Sequence, residues 1–295
     1  MKAKTKYLLI LICFCVLVSG CGGMPEKLVI GMAPYNNPAK LINDFKPVKD
    51  YLQKEMGVTI EVTVPVDYFG LVDAMRQKKV DIGFYGPFSY IAGEREVNLE
   101  PLVVQCRKGS GTVYYSTIIT RSDSGIKDLE DLKGKRFAFV ESGSTSGFVM
   151  PFALFKSRDI DINQYFGSIK YSGTHDSVAM DVINRVTDAG AMDDIVFAQM
   201  LEDKEFNPED INIIWKSEPI PASPYVARAD LDSRLKAEFK TAMLTLHEKA
   251  PDILRSYDAN AEKYEACSSS TYNSIRNVAE ILGDEFMIEK FLKQR

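Results

Sequence analysis

The sequence predicts an α/β protein of two lobes, built on largely parallel sheets and joined by a hinge of two chain crossings. Three features lead there. From Lys27 onward, short apolar runs alternate with amphipathic stretches, the pattern of strands buried beneath helices. Near Arg121 the run RSDSGIKDLEDLKGK is polar and turn-rich, which marks the start of a second lobe. Later, Pro219, Pro221 and Pro224 punctuate the chain and favour an extended crossing over a helix.

The elements follow in order. KLVIGMAPY (27–35) reads as a buried strand, and the next helix, over about 38–56, carries Leu41, Phe45, Val48 and Leu52 at helical spacing. Then come the strand 59–66, the helix 68–79 and the strand DIGFYG (81–86), which give two right-handed βαβ units. A helix over 87–96 and strands around 101–106 and 112–120 complete the first lobe. In the second, the strand RFAFV (136–140) runs into a helix after Ser144 and Thr145. A strand near 168–171, a helix over 175–186, the strand DAGAM (188–192), a further helix and the strand 211–217 follow. PYVAR (224–228) reads as a strand returning to the first lobe, with helical segments over 231–249 and 258–293 packed on it. The expected division is 27–118 with 222–295 for lobe I and 119–221 for lobe II, the crossings lying near 112–121 and 217–226. A cleft between such lobes can hold a ligand.

Composition narrows the partners. At 295 residues, 45% hydrophobic and 26% charged, the chain can bury one or two real cores. Its 36 basic against 41 acidic residues give a net charge of −5, the wrong sign for gripping nucleic acid through its phosphates. The first 20 residues read as an address: Lys2, Lys4 and Lys6 precede an apolar run from Tyr7 to Val18, shorter than the roughly 20 residues of a bilayer-spanning helix. Val18-Ser19-Gly20-Cys21 resembles the lipobox of bacterial lipoproteins, in which the cysteine is diacylated and the chain cut before it. Residues 21–26 would be a tether, and the mature protein a lipid-anchored, extracytoplasmic one with a net charge of −8, three lysines fewer and no acid lost.

Cys106 and Cys267 remain as thiols free to pair, but 161 positions separate them and nothing in the sequence brings them together. His175 and His247 are the only histidines, and no HExxH or CxxC occurs, so neither a metal nor another cofactor is expected. No Walker A or GxGxxG pattern follows the first strand.

The informative stretch is RFAFVESGSTSGFVMPFALF (136–155). Ser144, Thr145 and Ser146 place three hydroxyls and unpaired backbone N–H groups at a helix start, a ready cradle for an oxyanion. A plain helix cap would need one of the three. Pro151 fits only if the regular helix begins near Phe148. GSTSG also frames a nucleophile elbow, yet its centre is Thr145 and the nucleophile, acid, histidine order is missing, so a hydrolase fits badly. His175, between a strand and a helix, either aims an N–H into the cleft or is a solvated first-turn residue capped by Thr174. Asp193, Tyr35 and Tyr85 close strands whose carboxyl ends face the crevice in open α/β sheets. Packing accounts equally well for the tyrosines.

YGPFSY (85–90), LKGKRFAFVESGSTSG (132–147), GTHD (173–176), DAGAMDD (188–194) and SEPIPASPYVAR (217–228) together resemble the phosphonate/phosphite-binding family of periplasmic substrate-binding proteins, components of ABC importers. The resemblance spans about 27–290 and implies a type II binding-protein fold, a phosphorus oxyanion ligand, membrane permease subunits as partners and no enzymatic activity. Carried over, Ser144, Thr145, Ser146 and His175 would bond the oxyanion, with Tyr35 and Tyr85 closing the site. An acid contacts the amine in aminoalkylphosphonate binders; here Asp193, Asp194 and Glu218 are all open for that role, as is the charge state of His175. No lysine or arginine lies within GSTSG or GTHD, so attraction must come from oriented N–H and O–H dipoles. A monomer is expected, and a sulfonate or phosphate ligand, or a sensor as partner, are the neighbouring readings.

Overall fold

A computed structural model describes residues 27–283. The leader, Cys21, the tether and residues 284–295, which include the end of the expected final helix, lie outside them. The first sheet opens with β1 (Lys27–Met32), β2 (Thr59–Thr63), β3 (Ile82–Phe84) and β4 (Leu99–Arg107), with α1 (Pro38–Met56), α2 (Tyr68–Arg76) and α3 (Pro87–Glu94) between them. The chain then crosses through β5 (Val113–Tyr114) into a second sheet of β6 (Ser116–Arg121), β7 (Arg136–Phe139), β8 (Ser168–Tyr171), β9 (Ala189–Asp193) and β10 (Ile211–Lys216). Its helices are α4 (Met150–Ser157), α5 (Ile162–Tyr165), α6 (His175–Ile183) and α7 (Asp194–Glu202). It returns through β11 (Ile220–Pro221) to β12 (Pro224–Arg228), α8 (Ser233–Lys249), α9 (Pro251–Tyr257), β13 (Ala261–Ala266) and α10 (Asn273–Leu282).

The sheet orders are β13-β4-β12-β3-β1-β2 and β10-β6-β9-β7-β8. β1 runs parallel to β2 and β3, and β7 to β8 and β9, while β12, β13, β6 and β10 pair antiparallel. This is the two-lobed type II architecture. The crossings pair with each other, Ile220 opposite Tyr114 and Pro221 opposite Val113, so the hinge is a two-stranded ribbon. β6 pairs along its whole length with β9 and β10, so the expected boundary at 118/119 falls inside a second-sheet strand.

The expected helix over 258–293 is the main misreading. Ala261 and Tyr264, both buried, stand three apart as on a helix face. A bulge between Ala261 and Lys263 puts them on one face of an edge strand instead. That strand also decides the cysteines. Ala266 lies opposite Val103, so Cys267 sits about four residues, or roughly 13 Å, along β4 from Cys106, too far for a disulfide. Both are free thiols.

Candidate functional site

The cleft between the sheets is lined from both lobes and holds about 1000 Å³, part of it open to solvent. Its second-lobe wall is the loop leaving β7. Thr145–Val149 form a π turn in which the Val149 N–H donates to Ser144 O at 3.0 Å. The α-helix proper starts at Met150, so Pro151 falls in its first turn, where no N–H is required. Two glycines allow this close packing: a Cβ on Gly147 would lie 2.2 Å from Val140 Cγ2, and one on Gly143 would lie 2.7 Å from Tyr68 Cβ. Phe148 anchors the turn from below, edge-on to Phe139 with centroids 5.1 Å apart.

Ser144, Thr145 and Ser146 line the cleft and are almost wholly shielded from solvent. Ser144 is the cap, its Oγ accepting the Gly147 N–H at 3.0 Å. The N–H groups of Thr145 and Ser146 stand first in the turn, where no intrahelical acceptor exists. Thr145 Oγ1 accepts the Phe88 N–H from the other lobe at 2.8 Å, which leaves the Thr145 O–H free to donate. Capping therefore uses one hydroxyl of the three. Two phenols missed by sequence reasoning flank the cradle: Tyr68 and Tyr114 line the cleft beside Ser144, Thr145 and Ser146. Burial holds both phenols well above their ordinary pKa, so they remain neutral.

His175 begins α6 behind its cap Thr174 and is buried. Its main-chain N–H donates to Tyr35 O of the first lobe at 3.1 Å. Nδ1 accepts the Asp193 N–H at 3.0 Å, and a nitrogen that accepts carries no proton. The ring is thus the neutral tautomer protonated on Nε2, which lies 3.3 Å from both Ser144 Oγ and Asp193 Oδ2. Burial pushes its pKa down, outweighing the opposite pull of Asp193 and Asp176. The imidazolium is disfavoured on both counts.

Asp193 ends β9 and caps α7, its Oδ1 accepting the Val196 N–H at 2.6 Å. Of the three acids left open by the sequence it alone lines the cleft. Asp194 accepts the Tyr115 N–H at 2.9 Å and pairs with Lys216 at 3.3 Å, and Glu218 is exposed.

The first-lobe wall differs from expectation. Tyr35 lines the cleft, with its hydroxyl 3.4 Å from that of Tyr257 and its ring edge-on to Phe84. Tyr85 does not. It is fully buried, its ring 2.4 Å from where a Gly83 Cβ would sit, and its hydroxyl has no partner. Phe84 takes the cleft-facing position, so the next residue along the extended chain turns to the opposite side. A cation also enters the cleft: Arg107 Nε lies 2.6 Å from Asp258 Oδ2, which also accepts from Gln105 Nε2 at 2.7 Å. The Nε–H is not aligned on that oxygen as a hydrogen bond, so the contact is an ion pair by proximity. Arg107 and Asp258 carried no signal, because each lies in an unremarkable stretch and the bulged β13 and the end of β4 bring them together. Among the described residues no group of acids, histidines and cysteines could hold a metal ion.

Comparison with known proteins places these features in context. A model of the family described as ABC transporter, phosphonate, periplasmic substrate-binding protein matches residues 30–272. A phosphate-import protein of Mycolicibacterium smegmatis is 29% identical, covering 92% of this chain and 94% of that protein. A probable ABC transporter phosphite-binding protein of Prochlorococcus marinus is 25% identical, covering 90% and 93%. Among solved structures, a binding-protein component of an ABC phosphonate transporter from Pseudomonas aeruginosa superimposes with a TM-score of 0.82 at 21% identity, covering 90% of this chain and 89% of that one. A Prochlorococcus marinus protein in complex with methylphosphonate gives a TM-score of 0.76 at 22% identity, covering 88% and 98%.

Proposed function

The chain belongs to the phosphonate-type periplasmic substrate-binding proteins of ABC transporters, and from that premise we propose that its cleft captures the phosphorus oxyanion through Ser144, Thr145, Ser146 and His175. As a member of that family it binds a small phosphorus oxyanion, serves a transporter's permease components and is a carrier, not an enzyme. The observation that carries the reading of the site is the cradle at the π turn. The N–H groups of Thr145 and Ser146 at the head of the turn, the Thr145 hydroxyl and the Nε2–H of neutral His175 converge in a buried cleft. Donors fixed before the ligand arrives need little reorganisation, and hydrogen bonds to an anion are about twice as strong as neutral ones.

Asp193 Oδ2 is the acceptor beside these donors. It would favour an oxyanion that still carries a proton, and would repel one that carries none. The ligand is read as phosphonate, phosphite or phosphate. Sulfate, which offers no proton at neutral pH, would be excluded on the same ground. Cys21 is read as the lipid attachment point that holds a monomeric protein outside the membrane, and the lobes as the two sheets with their helices. Calorimetric titration with phosphite, methylphosphonate, phosphate and sulfate tests this. Tight binding of at least one phosphorus oxyanion with sulfate weaker by about a hundredfold or more, some 2.7 kcal/mol, is expected, and equal binding of sulfate would overturn the role of Asp193.

A further inference from the structure

Glu141 sits in the most informative stretch of the sequence yet has no part in the cradle. It leaves β7 in the second lobe and is outside the residues that line the cleft. Its Oε1 accepts the Gly143 N–H at 3.2 Å, its main-chain carbonyl accepts the Ser144 N–H at 3.0 Å, and its carboxylate faces the Tyr68 N–H at the start of α2 in the first lobe, where a Cβ on Gly143 would lie 2.8 Å from Oε1 and 2.7 Å from Tyr68 Cβ. Tyr68 is the first residue of α2, and the cap of that helix is Asp67, whose Oδ1 accepts the Gly70 N–H at 2.5 Å. Closing the cleft therefore brings a carboxyl of each lobe together, in a place where one is mostly buried.

We propose that Glu141 is a positioning residue that couples closure of the cleft to the uptake of one proton, which the Glu141 carboxyl takes from solvent as it docks beside the Asp67 carboxylate. The inference rests on the reading of the cleft as one that closes on its ligand. The groups that face Glu141 are few. From α2 they are the Asp67 carboxylate and the Tyr68 phenol, which burial keeps protonated, and from its own loop the Gly143 N–H. Burial first, and Asp67 second, push the Glu141 pKa up to about 7, against the two N–H groups that lower it. In an open cleft both causes weaken, and the carboxyl returns toward the ordinary value of about 4.3. A group whose pKa is raised in one state favours that state at low pH and loses its contribution as pH rises through the raised value. The closed form is thus favoured at pH 5 relative to pH 8. The protonated carboxyl keeps the oxyanion loop against α2 without repulsion, whereas the ionised one pushes the lobes apart.

The test compares wild type with Glu141→Gln, which mimics the protonated carboxyl, so that titration of the ligand itself cancels. With methylphosphonate as the probe, Glu141→Gln should bind only several-fold more tightly than wild type at pH 5, and this advantage should widen by roughly a further tenfold or more at pH 8. Calorimetry at pH 6 in two buffers of different ionisation heat should show about one more proton taken up by wild type than by the variant. Equal affinity ratios across this range with equal proton counts would overturn the proposal. Asp67→Asn, which can still cap α2, guards against a folding defect: it should shrink the loss at pH 8, and an unchanged loss would remove Asp67 from the pair. If methylphosphonate, phosphite and phosphate bind to neither protein, the oxyanion reading has failed. The proton coupling is then decided by spin-label distances between the lobes, expected to lengthen from pH 5 to pH 8 in wild type only and refuted by identical behaviour of the two proteins.

Discussion

The two walls of the cleft solve opposite problems. The second-lobe wall keeps donors for a ligand: the N–H groups of Thr145 and Ser146 at the head of the turn and the Thr145 hydroxyl, beside a neutral histidine whose Nε2–H lies between Ser144 and Asp193. The first-lobe wall spends its polar groups on itself, with Arg107 against Asp258, Gln105 on the same carboxylate and Tyr35 on Tyr257. An anion gains from groups that are fixed but unpaired, because it has nothing to displace, and gains little from a cation that already has a counterion at 2.6 Å. A protein whose net charge is −5 over the full sequence can therefore capture an anion with one wall while the other supplies shape and closure.

Three substitutions would break or sharpen this contrast. Thr145→Val keeps the shape but removes both a donor to the ligand and the acceptor of the Phe88 N–H, so phosphite affinity should fall by about 1–3 kcal/mol, roughly five- to 150-fold. Unchanged affinity by calorimetry would take Thr145 out of the site. On the opposite wall, the double replacement Arg107→Met with Asp258→Leu removes the ion pair as a unit, and phosphite affinity should change by less than about threefold. A tenfold loss would mean that Arg107 holds the anion after all. The smallest effect belongs to Tyr85→Phe, which deletes a buried hydroxyl without a partner. Affinity should be untouched and the fold as stable or up to about 1 kcal/mol more so by chemical denaturation. A clear destabilisation would show that the hydroxyl has a partner, such as a buried water.

The same contrast marks how far the sequence could be read. The second-lobe wall is made of neighbours in the chain, Ser144 to Ser146, plus two residues at the ends of regular elements, so spacing and the strand-end rule reached it. The first-lobe wall is assembled from distant pieces. Tyr68 opens α2, Tyr114 lies in the ribbon, Arg107 ends β4 and Asp258 follows α9, and no local pattern links them. Tyr85 failed because a strand-end rule names a region, whereas the side of the chain on which a residue falls is fixed by one step of alternation, taken here by Phe84. The final helix failed because Ala261 and Tyr264 imitate a helical face when a bulge is present. The parallel core of each sheet, β1 with β2 and β3 and β7 with β8 and β9, and the second crossing were legible because buried strands and clustered prolines write directly into composition, whereas the antiparallel pairing of β6, β10, β12 and β13 left no such mark.

The paired crossings have a mechanical consequence. Besides the Ile220–Tyr114 and Pro221–Val113 register, the Ala222 N–H donates to Thr112 O and the Ser217 N–H to Ser116 O, both at 2.9 Å. Strands laced side by side flex as a leaf, whereas sliding one past the other would tear the lacing, so a single swing remains as the easy motion. Tyr114 belongs to that leaf and also lines the cleft beside Thr145 and Ser146. A cargo held by those two hydroxyls would stiffen the very pivot on which it was swallowed.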